Sequence, residues 1–284
     1  MCRFVVYKGP RLLMADLLTR PNHSLIKQSY QAVERTEPLN GDGFGVGWYS
    51  PEIDPIPCVW TSTTPAWNNR NLRRLAEKIM SPCMFAHVRA ASPGMLVSEV
   101  NCHPFQHDRF LWMHNGMIPD FIKIKRRLRQ SLRDEFYHLI QGTTDSEHAF
   151  AVFLNQLADR RADGGPQHLQ QAMLATIEQL NLWTREAGIH QPAYYNFAVT
   201  DGETVIATRY VSDPAEEPAS LYYSHGAKFI CHDGYCHMVA AESHEHAVII
   251  ASEPLTNVGD DWKRIPKNHL IMVKPDLEIE LIAI

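Results

Sequence analysis

Followed along its apolar and polar positions, the chain divides into strands, then helices, then strands again. RFVVY, starting at residue 3, reads as a buried strand. FGVGWY (44–49) follows an Asp42-Gly43 turn signal, and CMFAHVRA (83–90) and RFLWMHNG (109–116) supply two further strands. Residues 50–70, rich in Pro, Ser, Thr and Asn, are expected to form an irregular loop. After Pro119-Asp120 the period changes. Ile124, Leu128, Leu132, Phe136 and Leu139 share one helical face, and Lys123, Arg126, Arg127, Arg129 and Arg133 share the other. A second helix is expected near Thr144, whose hydroxyl and Glu147 fit a capping box, with Phe150, Phe153, Leu154 and Leu157 turned inward. A polar loop (158–167) separates it from a third helix ending near Gly188.

The last hundred residues return to period two. YYNFAVT and ETVIATRY flank Asp201-Gly202, a two-residue hairpin signal. SLYYS (220–224), HMVAA (237–241), AVIIAS (247–252), HLIMV (269–273) and a final run to Ile284 follow at short spacing. Strands joined by hairpins, rather than alternating with helices, argue for antiparallel sheets packed with helices, an α+β layered fold. No linker divides the chain, so residues 1–284 are expected to form a single domain.

Bulk properties narrow the function classes. The 284 residues suffice for a substantial core, and 45% hydrophobic with 21% charged residues is ordinary for a soluble globular protein. A net charge of −5 gives no reason to expect nucleic acid, and the basic stripe around Arg126 reads as a solvated helix face. No apolar run approaches a membrane span, and the start lacks the pattern of a secretory signal. The expectation is a cytoplasmic protein whose six cysteines are reduced thiols. Cys231, His232, Cys236 and His237 are zinc-ligand types in close succession, but Asp233-Gly234 reads as a hairpin tip that would separate them, and no metal is expected. Gly43, Gly45 and Gly47 do not match phosphate-loop spacing and are expected to let a strand pass close to another backbone.

Candidate chemistry starts at Cys2. Removal of Met1 would leave a free α-amine on the residue that owns the thiol. With pKa values of about 7.7–8.0 for the amine and about 8.5 for the thiol, the one can take the other's proton. Four further segments bear on it. HVRAAS (87–92) offers Arg89, a fork for a carboxylate, with Ser92 close by. NCHPF (101–105) adds His103. In WMHNGMI (112–118) the Asn115 amide and the Gly116 N–H could form an oxyanion hole. TTDSEHAF (143–150) sets Asp145 in the first turn of a helix, where a carboxylate is favoured and can pair with an ammonium. Each also has an ordinary reading, as a surface ion pair, a turn or a helix cap.

In this order the motifs resemble the glutaminase domain of the class II glutamine amidotransferases, over roughly the first 155 residues. The resemblance implies the N-terminal-nucleophile hydrolase fold, a four-layer αββα sandwich. It implies Cys2 as nucleophile forming a glutamyl thioester, Asn115 and Gly116 as oxyanion hole, Arg89 with Ser92 on the substrate α-carboxylate, and Asp145 on its α-ammonium. No cofactor is implied. Synthase-coupled members carry Trp where this chain has Ala90 and His where it has Pro93, and the length is expected to leave no room for a synthase domain. NGDGFGVGWY (40–49), SLYYS and ASEPL (251–255) resemble stand-alone relatives that trim γ-glutamyl bonds, in which Ser252 and Glu253 become candidates for the substrate pocket. The expected partner is a small γ-glutamyl substrate. The alternative is a glutaminase subunit supplying ammonia to a separate protein.

Overall fold

Along the first strand, Phe4 and Val6 point to one side and Val5 and Tyr7 to the other, and this alternation sets the layers. The computed structural model describes residues 2–34, 39–91, 94–159, 165–232, 235–239 and 246–284. In chain order its elements are β1 (Arg3–Leu13), α1 (Ala15–Leu18), α2 (Leu25–Gln28), β2 (Phe44–Ser50), β3 (Asp54–Ser62), α3 (Arg70–Ala76), β4 (Met80–Val88), β5 (Phe105–His107) and β6 (Phe110–Met117). The helical middle holds α4 (Phe121–Ser131), α5 (Asp134–Leu139), α6 (Asp145–Asp159) and α7 (Pro166–Glu186). Then come β7 (Tyr194–Thr200), β8 (Val205–Arg209), β9 (Tyr222–Gly226), β10 (Lys228–His232), β11 (Tyr235–Val239), β12 (Ala247–Ala251), β13 (Lys263–Arg264), β14 (His269–Val273) and β15 (Ile279–Ala283).

One sheet runs β13-β9-β12-β1-β4-β2-β3 and the other β15-β14-β8-β7-β6-β5, with every pairing antiparallel. Phe4, Val6 and Phe85 of the first meet Leu111, Met113, Ala198 and Ile271 of the second in the central layer. The opposite face of the second sheet, with Trp112, Phe197 and Met272, is covered by α4–α7. The outer face of the first, with Val5, Tyr7, Met84 and Ile249, is covered by the short helices α1–α3 and the β10–β11 hairpin. This is the α+β sandwich that strand order and the family resemblance led us to expect.

Three local expectations are corrected. Residues 54–62 form β3 rather than loop; Pro55 and Pro57 are tolerated because β3 is the sheet's edge strand, where a missing N–H leaves no ladder bond unmade. The single helix after Asp120 is two, since Leu132 is extended and the Arg133 N–H turns aside to Asn155 Oδ1 (3.1 Å). Cys231 and Cys236, directly opposite in the β10–β11 ladder, are joined by a disulfide, so not all six cysteines are thiols and these two sulfurs are not available to a metal. The basic stripe on α4 is answered by acids: Arg127 pairs with Glu186, and Lys123 with Asp120 at 2.8 Å. The capping box at α6 forms with a variation. The Glu147 N–H donates to Thr144 Oγ1 (3.2 Å), while its carboxylate reaches back past Thr144 to the N–H groups of Gln141 and Gly142 (2.8 and 2.7 Å).

Candidate active site

Cys2 lies at the head of β1, the central strand of its sheet, between the ends of β12 and β4. By the alternation that turns Phe4 inward, its side chain belongs to the face that looks across to the second sheet. The Ala90 N–H donates to Cys2 Sγ (3.4 Å), and Sγ lies 3.6 Å from the Ala90 carbonyl. Burial pushes the thiol pKa up; the Ala90 N–H and the nearby Arg89 and Arg3 charges pull the other way without cancelling it.

Arg89 follows directly on β4 and shares the inward-facing parity of His87, which is paired with Phe4. It is buried, and its guanidinium donates to two carbonyls, Asp42 O (3.4 Å) and Leu96 O (3.2 Å). Among the described residues no carboxylate pairs with it. Its own backbone is clamped by the glycine-rich segment: Arg89 N–H to Gly43 O (2.8 Å), Asp42 N–H to Arg89 O (3.0 Å), and Ala91 N–H to Asp42 Oδ2 (2.8 Å). Close approach is what the glycines allow here, since a Cβ on Gly45 would lie 2.1 Å from the His103 carbonyl oxygen. Ser92 falls outside the described residues.

Asn115 is buried on the inward face of β6 with Leu111 and Met113, and among the described residues its side-chain amide makes no hydrogen bond. An unspent amide turned toward the inter-sheet space is what an oxyanion donor requires. Gly116 is obligatory: a Cβ there would meet the Tyr194 carbonyl oxygen at 1.9 Å and His114 Nε2 at 2.6 Å. Asp145, at the start of α6, accepts from Ile118 N–H (2.7 Å) and Ser146 N–H (2.8 Å) and remains partly exposed. His114 Nδ1 lies 2.9 Å from Ser146 Oγ, a second tie between the Asn-Gly strand end and the Asp145 helix.

His103 packs against β2, its carbonyl oxygen beside Gly45. It is buried with its ring 4.2 Å from that of His87, and burial holds both far below the usual histidine range, His87 at about 3. Asn101, the first residue of the NCHPF segment, is the structural link in that motif. Its amide donates to Leu96 O (3.0 Å), the carbonyl that Arg89 also uses, and its Oδ1 accepts from Thr143 N–H (2.9 Å).

Ser252 and Glu253 follow β12, beside the start of β1. Ser252 Oγ accepts from Phe4 N–H (3.0 Å). Glu253 is fully buried between Arg3 Nε (2.9 Å) and His23 Nε2 (2.8 Å). Burial would raise its pKa, but the His23 contact, the Val33 N–H and the Arg3 charge lower it to about 2. Arg3 carried a sequence signal, a charge heading an otherwise apolar strand, which has to find a buried partner. His23 carried none.

The family model for class-II glutamine amidotransferases matches residues 14–281. Saccharomyces cerevisiae "Probable glutamine amidotransferase DUG3" is 43% identical over 293 residues, covering 96% of this chain and 82% of that protein. The Mycolicibacterium smegmatis "Gamma-glutamyl-hercynylcysteine sulfoxide hydrolase" is 33% identical over 119 residues, which is 42% of this chain and 52% of that protein. Among solved structures, a glutamine aminotransferase class-II domain protein from Silicibacter pomeroyi aligns over the whole of both chains with a TM-score of 0.67 at 24% identity. The glutamine phosphoribosylpyrophosphate amidotransferase of B. subtilis aligns over 49% of its length with a TM-score of 0.58 at 13% identity, a likeness of fold. The chain belongs to the class-II glutamine amidotransferase family.

Proposed function

We propose that this enzyme hydrolyses the γ-glutamyl amide bond of a small γ-glutamyl compound, with Cys2 as nucleophile once Met1 has been removed. The observation that carries the reading is the Cys2 thiol beside Ala90 and the Arg89 charge, an arginine that among the described residues pairs with no carboxylate; an Asn115 amide with no hydrogen bond among those residues and a partly exposed Asp145 carboxylate support it. A thiol pushed up by burial is mostly protonated near neutrality, so it needs a base. The α-amine on the same residue supplies one.

Attack by sulfur on the γ-carbonyl passes the thiol proton to the α-amine, and the tetrahedral oxyanion is held by Asn115 and the Gly116 N–H. The amine group returns the proton to the departing nitrogen as the C–N bond breaks, leaving a glutamyl thioester. Water, giving its proton to the same amine, cleaves the thioester and releases glutamate. Arg89 receives the substrate α-carboxylate and Asp145 its α-ammonium. A pocket with both charges in place discriminates against amides lacking a free amino-acid end. The relatives' printed names, one of them a γ-glutamyl hydrolase, support the same substrate class.

A panel of γ-glutamyl dipeptides, free glutamine and the matching α-glutamyl amides tests this. The expected result is release of glutamate from the γ-linked peptides alone. Rapid turnover of free glutamine only when another protein is added would instead support the ammonia-donor alternative.

A further inference from the structure

We infer that Arg3, Glu253 and His23 form a clamp that fixes the backbone of Cys2, making them positioning residues for the nucleophile rather than contacts to substrate. The inference rests on the reading of Cys2 as a terminal nucleophile. Once Met1 is gone, Cys2 has no preceding peptide group, and a terminal residue frays unless it is tied down. Its own carbonyl is then its main backbone handle. Arg3 Nη1 holds that carbonyl at 3.0 Å.

The clamp is built from behind the site. Arg3 shares the parity of Val5 and Tyr7, so its side chain lies on the outer face of the sheet, opposite the face carrying Cys2. Its Nε meets Glu253 Oε1 at 2.9 Å, the two side chains 4% and 0% exposed. The other carboxylate oxygen is held by His23 Nε2 (2.8 Å) and Val33 N–H (2.9 Å), and the Glu253 carbonyl accepts from Gln28 Nε2 (3.2 Å). Ser252, one residue earlier, accepts from the Phe4 N–H and donates its own N–H to Phe4 O (both 3.0 Å). Residues 2–4 are thus gripped by one dipeptide after β12. With both oxygens engaged by the protein, Glu253 has little left to offer a ligand. A buried ion pair contributes little net stability. A charge pair behind a terminal nucleophile, bonded to that residue's carbonyl, is suited to orientation.

The test uses the processed enzyme with γ-glutamyl-p-nitroanilide as probe, and compares Glu253→Gln, His23→Gln and Cys2→Ala with the wild type. For Glu253→Gln we expect kcat to fall by about tenfold or more with KM within about twofold, as misplacement of a reacting group predicts. His23→Gln, which leaves the Arg3–Glu253 pair in place, is expected to give a smaller loss, and it serves if Glu253→Gln does not fold. Among the described residues, the charged and titratable side chains grouped around Cys2 are Arg89 and Asp42 on the β4 side, and Arg3, Glu253 and His23 on the β12 side. Removing the Glu253 negative charge beside Arg3 makes the surroundings of Cys2 more positive and disfavours its ammonium form. The acid limb of kcat/KM therefore moves to lower pH, while the fall in kcat at unchanged KM persists on the pH plateau, where a change of charge alone would leave the rate as it was. A Glu253→Gln enzyme with unchanged kcat and pH profile, or with raised KM and unchanged kcat, overturns the clamp. Activity in Cys2→Ala overturns instead the reading beneath it.

Discussion

Asn101 grips Thr143 with both ends of its side-chain amide. Oδ1 accepts from the Thr143 N–H at 2.9 Å, and Nδ2 lies 3.3 Å from Thr143 Oγ1. Because Nδ2 also donates to Leu96 O, to which Arg89 donates, one buried side chain couples the Arg89 loop to the loop that leads into Asp145. Asn101→Ala is therefore expected to loosen both ends of the proposed substrate pocket together. KM for a γ-glutamyl dipeptide should rise about tenfold or more, and unfolding free energy should fall by about 1–3 kcal/mol from the groups left unpaired. Steady-state kinetics and urea denaturation of the same preparation measure both. A stability loss with unchanged KM would confine Asn101 to the fold.

Arg89→Lys keeps the charge and loses the fork. Since a lysine ammonium cannot form the parallel pair of bonds to a carboxylate, kcat/KM for γ-glutamyl substrates is expected to fall by about 100-fold, with much smaller loss for an analogue lacking the α-carboxylate. Equal losses on both substrates would show that Arg89 acts on something other than that carboxylate.

Gly45→Ala brings a methyl group to 2.1 Å from the His103 carbonyl oxygen, and backbone cannot swing aside as a long side chain can. Overpacking of this kind costs about 1–3 kcal/mol or more, seen as a melting temperature lowered by several degrees. A wild-type melting curve would mean that β2 does not run so close to residue 103.

Acid should unfold the protein through the buried histidines. Burial lowers the folded-state pKa of His87 to about 3 and that of His103 well below the usual range, while both titrate near 6.5 when unfolded. Both are neutral in the fold, so the unfolded chain binds the extra protons. Stability is fully present above pH 6.5 and is lost as pH falls from there toward 3, by about 1.4 kcal/mol per pH unit for each histidine. His103→Gln should flatten that slope by about one such increment in denaturation curves taken across this range. An unchanged slope would contradict the assignment of the loss to the His87–His103 pair.

Much of this was legible in the chain because period-two and period-3.6 patterns report which faces are buried. RFVVY, FGVGWY and AVIIAS became the core strands β1, β2 and β12. The edge strand β3 was hidden by Pro55 and Pro57, since one solvent-facing side relaxes the very rule that proline signals. Motif spacing pointed to Cys2, Arg89, Asn115 and Asp145, whose side chains are of types that carry chemistry. It could not point to what holds them. Asn101, His23 and Arg3 work through partners 42, 230 and 250 positions away, a separation no local pattern encodes. Glu253 drew attention as a pocket residue, and its buried ion pair with Arg3 became visible only in three dimensions.

The central claim is that Cys2 carries the glutamyl group, and intact-protein mass spectrometry tests it most directly. The processed enzyme is mixed with excess γ-glutamyl dipeptide, quenched in acid within the first turnovers, and weighed. The expected spectrum shows loss of Met1 and a second species heavier by one glutamyl group, mapped by proteolysis to the peptide beginning at Cys2 and absent from Cys2→Ala. Turnover by a chain that retains Met1, or a glutamyl adduct on any other residue, would contradict it.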